Sequence, residues 1–432
     1  MILFFLFLSL IGFVLNLDTP RGVSYASPFA LSIEYCSVLF LAWIIIKRIL
    51  KDSKIIIQLH FYKYFLLSFT LGLFILYFVW TPMLDPNAEE GYDPIKYYAF
   101  ALQILKGDVI LWGLNYWGVV YFFVGCMSIL GIDPLVPLFV NSLLSLTAIL
   151  LLARLLSNEQ TISYYAFLFV IPEVIYYQMV SSREILCMAP AVIFVVKSIE
   201  LRNKVSLVNI AFCILSFLLI AVIRPPMTVP LVLFVVLTVL TKAKGKNFYL
   251  GIFMVLMLVG AVLYGLHISS SLGSNFDTEY LEDTVSSGTS GEAEIANGNS
   301  GGGLTTLLLP HNPFEYVVFG IIRSFAYVIP PPAMITDFSE QFSPTYVLIY
   351  ENLTTLLMFF FLPTLFMGFF RYKSFDEKHK AVAIVLFLYF FMIGVSLPTL
   401  IQHRYRFIYE IYYFALAIYL RSNRLVKKRI GK

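Results

Sequence analysis

What most constrains this chain is a succession of apolar runs, each about 16 to 25 residues long and so able to cross a hydrocarbon layer ~30 Å thick as a helix. They fall near residues 2–17, 29–46, 63–83, 135–153, 162–179, 185–200, 205–223, 226–241, 247–268, 345–370, 379–399 and 406–420. In hydrocarbon a backbone must satisfy its own N–H and C=O groups, so runs of this length are read as helices. The expected fold is all-α, a polytopic transmembrane helix bundle of about 12 spans. Composition agrees, since only 13 % of residues are charged where soluble domains carry about a quarter. The 41 Phe and 28 Tyr suit packed helices with interfacial belts rather than a water-filled barrel.

Charge sets the expected orientation. Basic loops at Lys47–Lys54, Arg202–Lys204, Lys242–Lys246, Arg371–Lys380 and Arg421–Lys432 all land on one side when the spans alternate, which makes both termini cytoplasmic. The net charge of +4 is spread over these loops and forms no continuous patch, so nucleic acid is excluded as a partner. Cys36, Cys126, Cys187 and Cys213 sit singly in apolar segments and read as small core residues. The run Ile2–Leu17 has the length of a signal-peptide core and is followed by a weak cleavage-like Val23-Ser24-Tyr25-Ala26, but no Lys or Arg precedes it. A retained first helix is expected.

Parity also decides the loops. Counting Trp117–Gly131 as a span would put either the Asp93 loop or every later basic loop on the wrong side, so it is expected to be an interfacial helix. Helices are expected at 93–106 and 117–130, lying on the outer surface within one external loop, 84–134. The chain then divides into two extra N-terminal helices (1–62), a transmembrane core (63–268), an external loop (269–344) and C-terminal helices with a basic cytoplasmic tail (345–432). Within 269–344 the Gly/Ser/Asn-rich stretch SSGTSGEAEIANGNSGGG has a composition expected to be disordered, and 314–328 is expected as a second interfacial helix.

The polar residues of the outer ends are the candidates for function. In Gly91-Tyr92-Asp93-Pro94-Ile95-Lys96-Tyr97 an acidic residue opens an amphipathic helix, and Asp93, Tyr97 and Ala101 are spaced i, i+4, i+8 on one face. That face could present a carboxylate to a substrate at the bilayer surface. Asp followed by Pro is also an ordinary helix start, and a capping carboxylate is held in one rotamer. Both readings stand on sequence alone. Arg183, Arg224, Arg323, His403, Arg404 and Arg406 fall at outer helix ends, against the positive-inside bias, where a guanidinium is a ligand for phosphate or a snorkelling side chain. Glu34, Glu173, Glu351 and Glu410 lie in or at the ends of spans and could belong to a proton relay, though no repeat relates the two halves of the chain. No Walker loop, dinucleotide fingerprint, Ser/His/Asp arrangement or zinc spacing is present.

Asp93-Pro94-Ile95-Lys96-Tyr97 with Ala101, the run Tyr116-Trp117 to Leu130-Gly131 and the span Val136–Leu152 resemble the first external loop of the GT-C superfamily of polyprenyl-phosphate-sugar-dependent glycosyltransferases. Arg404-Tyr405-Arg406 is similar to an arginine element near late helices of related bacterial membrane proteins. The resemblance covers mainly residues 63–155. It departs at Pro94, where the family usually has Glu, and in lacking a C-terminal soluble domain.

The resemblance implies a GT-C-like enzyme of the bacterial inner membrane, its active site extracytoplasmic. It would transfer or polymerise sugars from an undecaprenyl-linked donor to a glycan or lipid-linked acceptor during surface-polysaccharide assembly. Asp93 would be the general base of an inverting transfer, and Lys96, Tyr97, Arg183, Arg224, Arg323, His403, Arg404 and Arg406 would bind the substrates. No cofactor or metal ligand is assigned, and the resemblance is compatible with a divalent metal. Two other readings stay open: an arginine-centred repeat-unit polymerase of the O-antigen type, and a lipid-linked oligosaccharide flippase.

Overall fold

The computed structural model describes residues 1–17, 26–80, 93–107, 117–203, 206–238, 313–328, 345–396 and 406–430. The expected span 247–268, the loop 269–312, His403 and Arg404 lie outside them. The described residues form helices and no strand. In chain order these are α1 (Ile2–Leu17), α2 (Pro28–Ile49), α3 (Ile55–Ile75, continued by a π turn, Leu76–Trp80), α4 (Asp93–Lys106), α5 (Trp117–Leu130), α6 (Leu135–Leu156), a 3₁₀ helix (Ile162–Val170), α7 (Pro172–Gln178), α8 (Arg183–Asn203), α9 (Leu207–Ile223), a 3₁₀ turn (Pro225–Thr228), α10 (Val229–Thr238), α11 (Pro313–Val328), α12 (Thr345–Phe369), α13 (Glu377–Ser396) and α14 (Phe407–Ile430).

Among the described residues, four helical segments are long and apolar enough to cross a membrane: Pro28–Ile49, Ile55–Trp80, Leu135–Leu156 and Ile349–Phe369. Ile2–Leu17, Gly118–Leu130, Leu207–Ile223 and Val229–Thr238 are shorter and equally apolar. Their outward side chains are large hydrophobics, such as Phe29, Ile33 and Phe40 on α2 and Phe359, Phe360 and Phe366 on α12. A water-facing helix would put charge there, whereas lipid tails accept these groups at no cost.

Ionic contacts collect at one end of the bundle. Arg154 pairs with Glu200, which also takes Lys197, and Arg202 reaches Glu377 across to α13 (3.1 Å). The ring nitrogens of His379 face Asp376 Oδ1 and the Leu156 carbonyl, while its ring stacks on Tyr419. Asp376 caps α13 by accepting from the His379 N–H (2.9 Å). Burial alone would push the Asp376 carboxyl up, but the bonds from His379 and the Lys378 N–H outweigh it and hold the group below the usual carboxylate range. These contacts, with that from Arg421 of α14 to Thr364 Oγ1 of α12 (3.4 Å), bring together the C-terminal ends of α6, α8 and α12 with the start of α13 and the basic half of α14. Ser163 meets His60 there, which adds the start of α3. We call this the basic end.

The remaining termini therefore gather at the opposite end. Their contacts agree. Asn141, near the start of α6, donates to the Val180 carbonyl (2.9 Å), and Tyr389, deep in α13, donates to the Met227 carbonyl (3.1 Å). The helices α4 and α5 begin and end where the sequence places them. The start of α5 meets the end of α9, because a Cβ on Gly118 would lie 2.2 Å from the Val222 carbonyl oxygen, and its far end, Gly131, meets Ala26 just before α2. Both ends of α5 thus sit at the opposite end of the bundle. The other helix expected at the surface, α11, packs against α13, with Phe325 edge-on to Phe390.

Two details refine the expected spans. The run 162–179 is split, because Pro172 has no N–H and bars Ile171 from helical geometry (φ −64°, ψ 126°). At ~2.0 Å per residue in the 3₁₀ piece and ~1.5 Å in α7, the split run still covers nearly the thickness of a bilayer core. The N-terminal helix is built into the bundle. Asn16 donates to the Leu73 carbonyl (2.9 Å) and Ser9 is bonded to the Tyr35 hydroxyl (2.6 Å), each worth about 0.6 to 2 kcal/mol in an apolar setting.

Candidate functional site

Four chain turns converge at the end opposite the basic loops. The first is the start of α4, which begins at Asp93. Its Pro94 carbonyl accepts from Ser181 Oγ (2.8 Å), so the Asp93 turn rests on the turn that leads into α8. The second is that α8 start, Arg183 and Glu184. The third is the end of α9, where Arg224 caps the helix by donating its N–H to the Ile220 carbonyl (2.7 Å) before Pro225 and Pro226 forbid continuation. The buried Cys187 thiol lies within electrostatic range of Arg224, Glu184 and Arg183 together, which places these charges around one point on α8. The fourth is the start of α5, seated through Gly118 on Val222 and Ile223 of α9, the two residues before Arg224.

Asp93, Lys96, Arg183 and Arg224 are thereby drawn into one neighbourhood. Arg183, Arg224 and Lys96 are each partly exposed. Tyr97 and Ala101 are different. Expected to share an open face with Asp93, they are fully buried, and α4 is enclosed over most of its circumference. The aromatic and small positions of this face are used for packing, since α4 lies against α5 and shares the apolar core with Phe123 and Met127. Arg323 lies on α11, which packs on α13 and α12 and on none of the four turns through any extensive contact among the described residues.

Arg406 is in the interior. Expected to meet substrate at an outer helix end, it is one of the largest fully buried side chains. Its guanidinium donates to Glu173 (2.7 Å), Glu410 (2.5 Å), Thr355 Oγ1 (2.7 Å) and the Glu351 carbonyl (2.8 Å). With these donors engaged by protein, Arg406 is a tie between α7, α12 and α14 and offers nothing to a phosphate. The physical reason is that a buried guanidinium must be paired, and the carboxylates of Glu173, from distant α7, and Glu410, one turn on in α14, supply the pairing. The sequence places Glu173, Glu351 and Glu410 in or at the ends of spans, but not around this arginine. Only the Arg406–Glu410 i, i+4 spacing could have shown it.

Neutral polar groups support this tie. Gln178 bridges Ser68 on α3 (3.0 Å) and Ser142 on α6 (3.1 Å), and the Tyr177 hydroxyl reaches Glu351 (3.4 Å). The short helix α7 is thus bonded to α3, α6 and α12 before the chain turns at Ser181 toward Pro94 and Arg183. The described residues contain no group of three or more His, Cys, Asp or Glu able to hold a metal ion. No family model matches the chain, and no curated protein matches it.

Proposed function

We propose that the chain is a membrane glycosyltransferase acting at the end opposite its basic loops, on a sugar carried by a polyprenyl phosphate or pyrophosphate. The observation that carries the reading is the convergence of the Asp93 helix start with Arg183 and Arg224, through the Ser181–Pro94 bond and the shared surroundings of Cys187. An aspartate is ionised at neutral pH without special tuning, so it can accept a proton once it is within hydrogen-bonding reach. In the proposed step the acceptor hydroxyl attacks the anomeric carbon and gives its proton to Asp93. The carbon–oxygen bond to the carrier phosphate breaks, and the phosphate leaves with the electron pair. Attack opposite the leaving group inverts the anomeric centre. Arg183 and Arg224 face the charge that develops on the phosphate, a contribution of roughly 2.7–4 kcal/mol each where water is excluded.

By the positive-inside rule the basic end is cytoplasmic, and the proposed site then faces the exterior of a bacterial inner membrane. The acceptor is a glycan or a lipid-linked sugar, which makes the enzyme a transferase or polymerase of surface-polysaccharide assembly. A second reading, a lipid-linked oligosaccharide transporter, is favoured by the interior carboxylates around Arg406. The deciding experiment uses the purified protein in lipid nanodiscs with an undecaprenyl-linked sugar donor and a lipid-linked acceptor. Transfer that requires Asp93 supports the transferase. Transfer that survives Asp93→Asn but not Arg183→Ala or Arg224→Ala identifies an arginine-centred polymerase. Movement of the intact lipid-linked sugar across a sealed proteoliposome membrane, with no new glycosidic bond, identifies the transporter.

A further inference from the structure

The polar cluster inside the bundle carries an inference independent of the chemistry at its outer end. Glu173 on α7 and Glu410 on α14 each give one carboxyl oxygen, Oε1, to the guanidinium of Arg406. All three side chains are shielded from solvent. The second oxygen of each carboxyl, Glu173 Oε2 and Glu410 Oε2, is buried and has no donor. A carboxylate oxygen in that condition is costly, and two of them beside one cation leave the cluster with a net negative charge in a low-dielectric interior. Glu173 takes Nη2 and Glu410 takes Nε of Arg406, neighbouring nitrogens on one edge of the guanidinium, so the two carboxyl groups stand side by side. Two carboxylates meeting without water do not both ionise.

We propose that Glu173 and Glu410 hold a single proton between them, so that with Arg406 they form a neutral buried triad at neutral pH. One hydrogen satisfies both orphaned oxygens, since the protonated Oε2 of one glutamate donates to Oε2 of the other. The remaining negative charge balances Arg406. The other groups facing the triad are Glu351 on α12, Tyr177 on α7 and Tyr409 on α14. Glu351 gives its backbone carbonyl to Arg406 and its carboxyl to the Tyr177 hydroxyl. From α3 and α6 come the neutral side chains of Ser68, Asn141 and Ser142, which engage Gln178 and the α7 carbonyls. On α8, Arg183 and Glu184 stand around Cys187 instead.

The pair makes a specific non-additivity testable on the full chain in detergent. If one glutamate is already neutral, Glu173→Gln or Glu410→Gln leaves one carboxylate to balance Arg406, and each single variant melts within a few degrees of the wild type. The double variant leaves a buried arginine without a counter-ion and loses far more than the two singles added, or yields no folded protein. Two singles that each fail to fold, or a double variant whose loss is the sum of the singles, overturns the shared proton. A second measurement does not depend on melting. Infrared spectra in D₂O at neutral pH, wild type minus each single variant, show the C=O stretch of one protonated carboxylic acid, lost in both variants. A difference spectrum without that band in either comparison also overturns it.

Discussion

The contact between α5 and α9 sets up a comparison within a single helix. Gly118→Ala places a Cβ 2.2 Å from the Val222 carbonyl oxygen, 2.6 Å from its carbon and 2.9 Å from the Ile223 Cα. All three are backbone atoms of α9, so no side chain can swing aside. Relief comes only if α5 backs away by about 1 Å, and a gap of that size forfeits a quarter to a half of each dispersion contact along the seam. Val119 and Val120, buried next to Gly118 in the sequence, are the first side chains that the shift disturbs. Overpacking of this kind costs about 1–3 kcal/mol, and the rigidity of the opposing atoms puts Gly118→Ala at the upper end. Gly125→Ala is the control, because nothing lies within 4 Å of the added carbon. There the gain in helix propensity, about 1 kcal/mol, is unopposed. Thermal denaturation of the two variants in the same detergent should separate them by several degrees, Gly118→Ala below the wild type and Gly125→Ala at or above it. Arg224 directly follows the contacted Val222 and Ile223, so Gly118→Ala should also lower transfer while Gly125→Ala leaves it unchanged. Equal melting temperatures for the two variants would refute the close α5–α9 seam.

Asp93→Asn should abolish sugar transfer while expression and melting stay near wild type, since Asn also suits a helix start but takes no proton; an unchanged turnover rate would remove Asp93 from the chemistry. Arg183→Ala and Arg224→Ala should each slow transfer by about 10²–10³-fold, read as initial rates at saturating donor, and either variant at the wild-type rate would show that its arginine does not face the leaving phosphate. Asp376→Ala removes the cap of α13 and should cost about 1 kcal/mol. Because the Asp376 carboxyl is held below its unfolded value, this contribution is complete above an ordinary Asp pKa of about 3.9 and disappears as pH falls through the folded value. The wild-type and Asp376→Ala melting curves should therefore differ by a constant amount from mildly acid to neutral pH and converge in strong acid; a gap that widens on acidification would contradict the assignment.

How far the sequence reached depended on the range of the interactions involved. Helices α4 and α5 were legible to the residue because their boundaries are local: Asp93-Pro94 opens one, and Gly107 and Gly131, both at positive φ, end the two. The expectation that α5 lies outside the membrane rests on counting charges, a property of the whole chain that needs no contact map. The split of 162–179 at Pro172 was equally local and was overlooked because hydropathy does not register a missing N–H. What could not be read is what depends on distant partners. Arg404 and Arg406 looked alike as outward cations, yet Arg406 is buried because Glu173, 233 positions away, and Glu351 meet it in space. Tyr97 looked like the companion of Asp93 on an open face, yet Tyr97 and Ala101 are both buried in the apolar core. Conversely, the meeting of Asp93 with Arg183 and Arg224 rests on a serine hydroxyl at Ser181 and a glycine at Gly118, residues with no chemistry to advertise. Charged side chains at helix ends declare themselves by type, but the residues that bring them together here are small and neutral, and only packing reveals them.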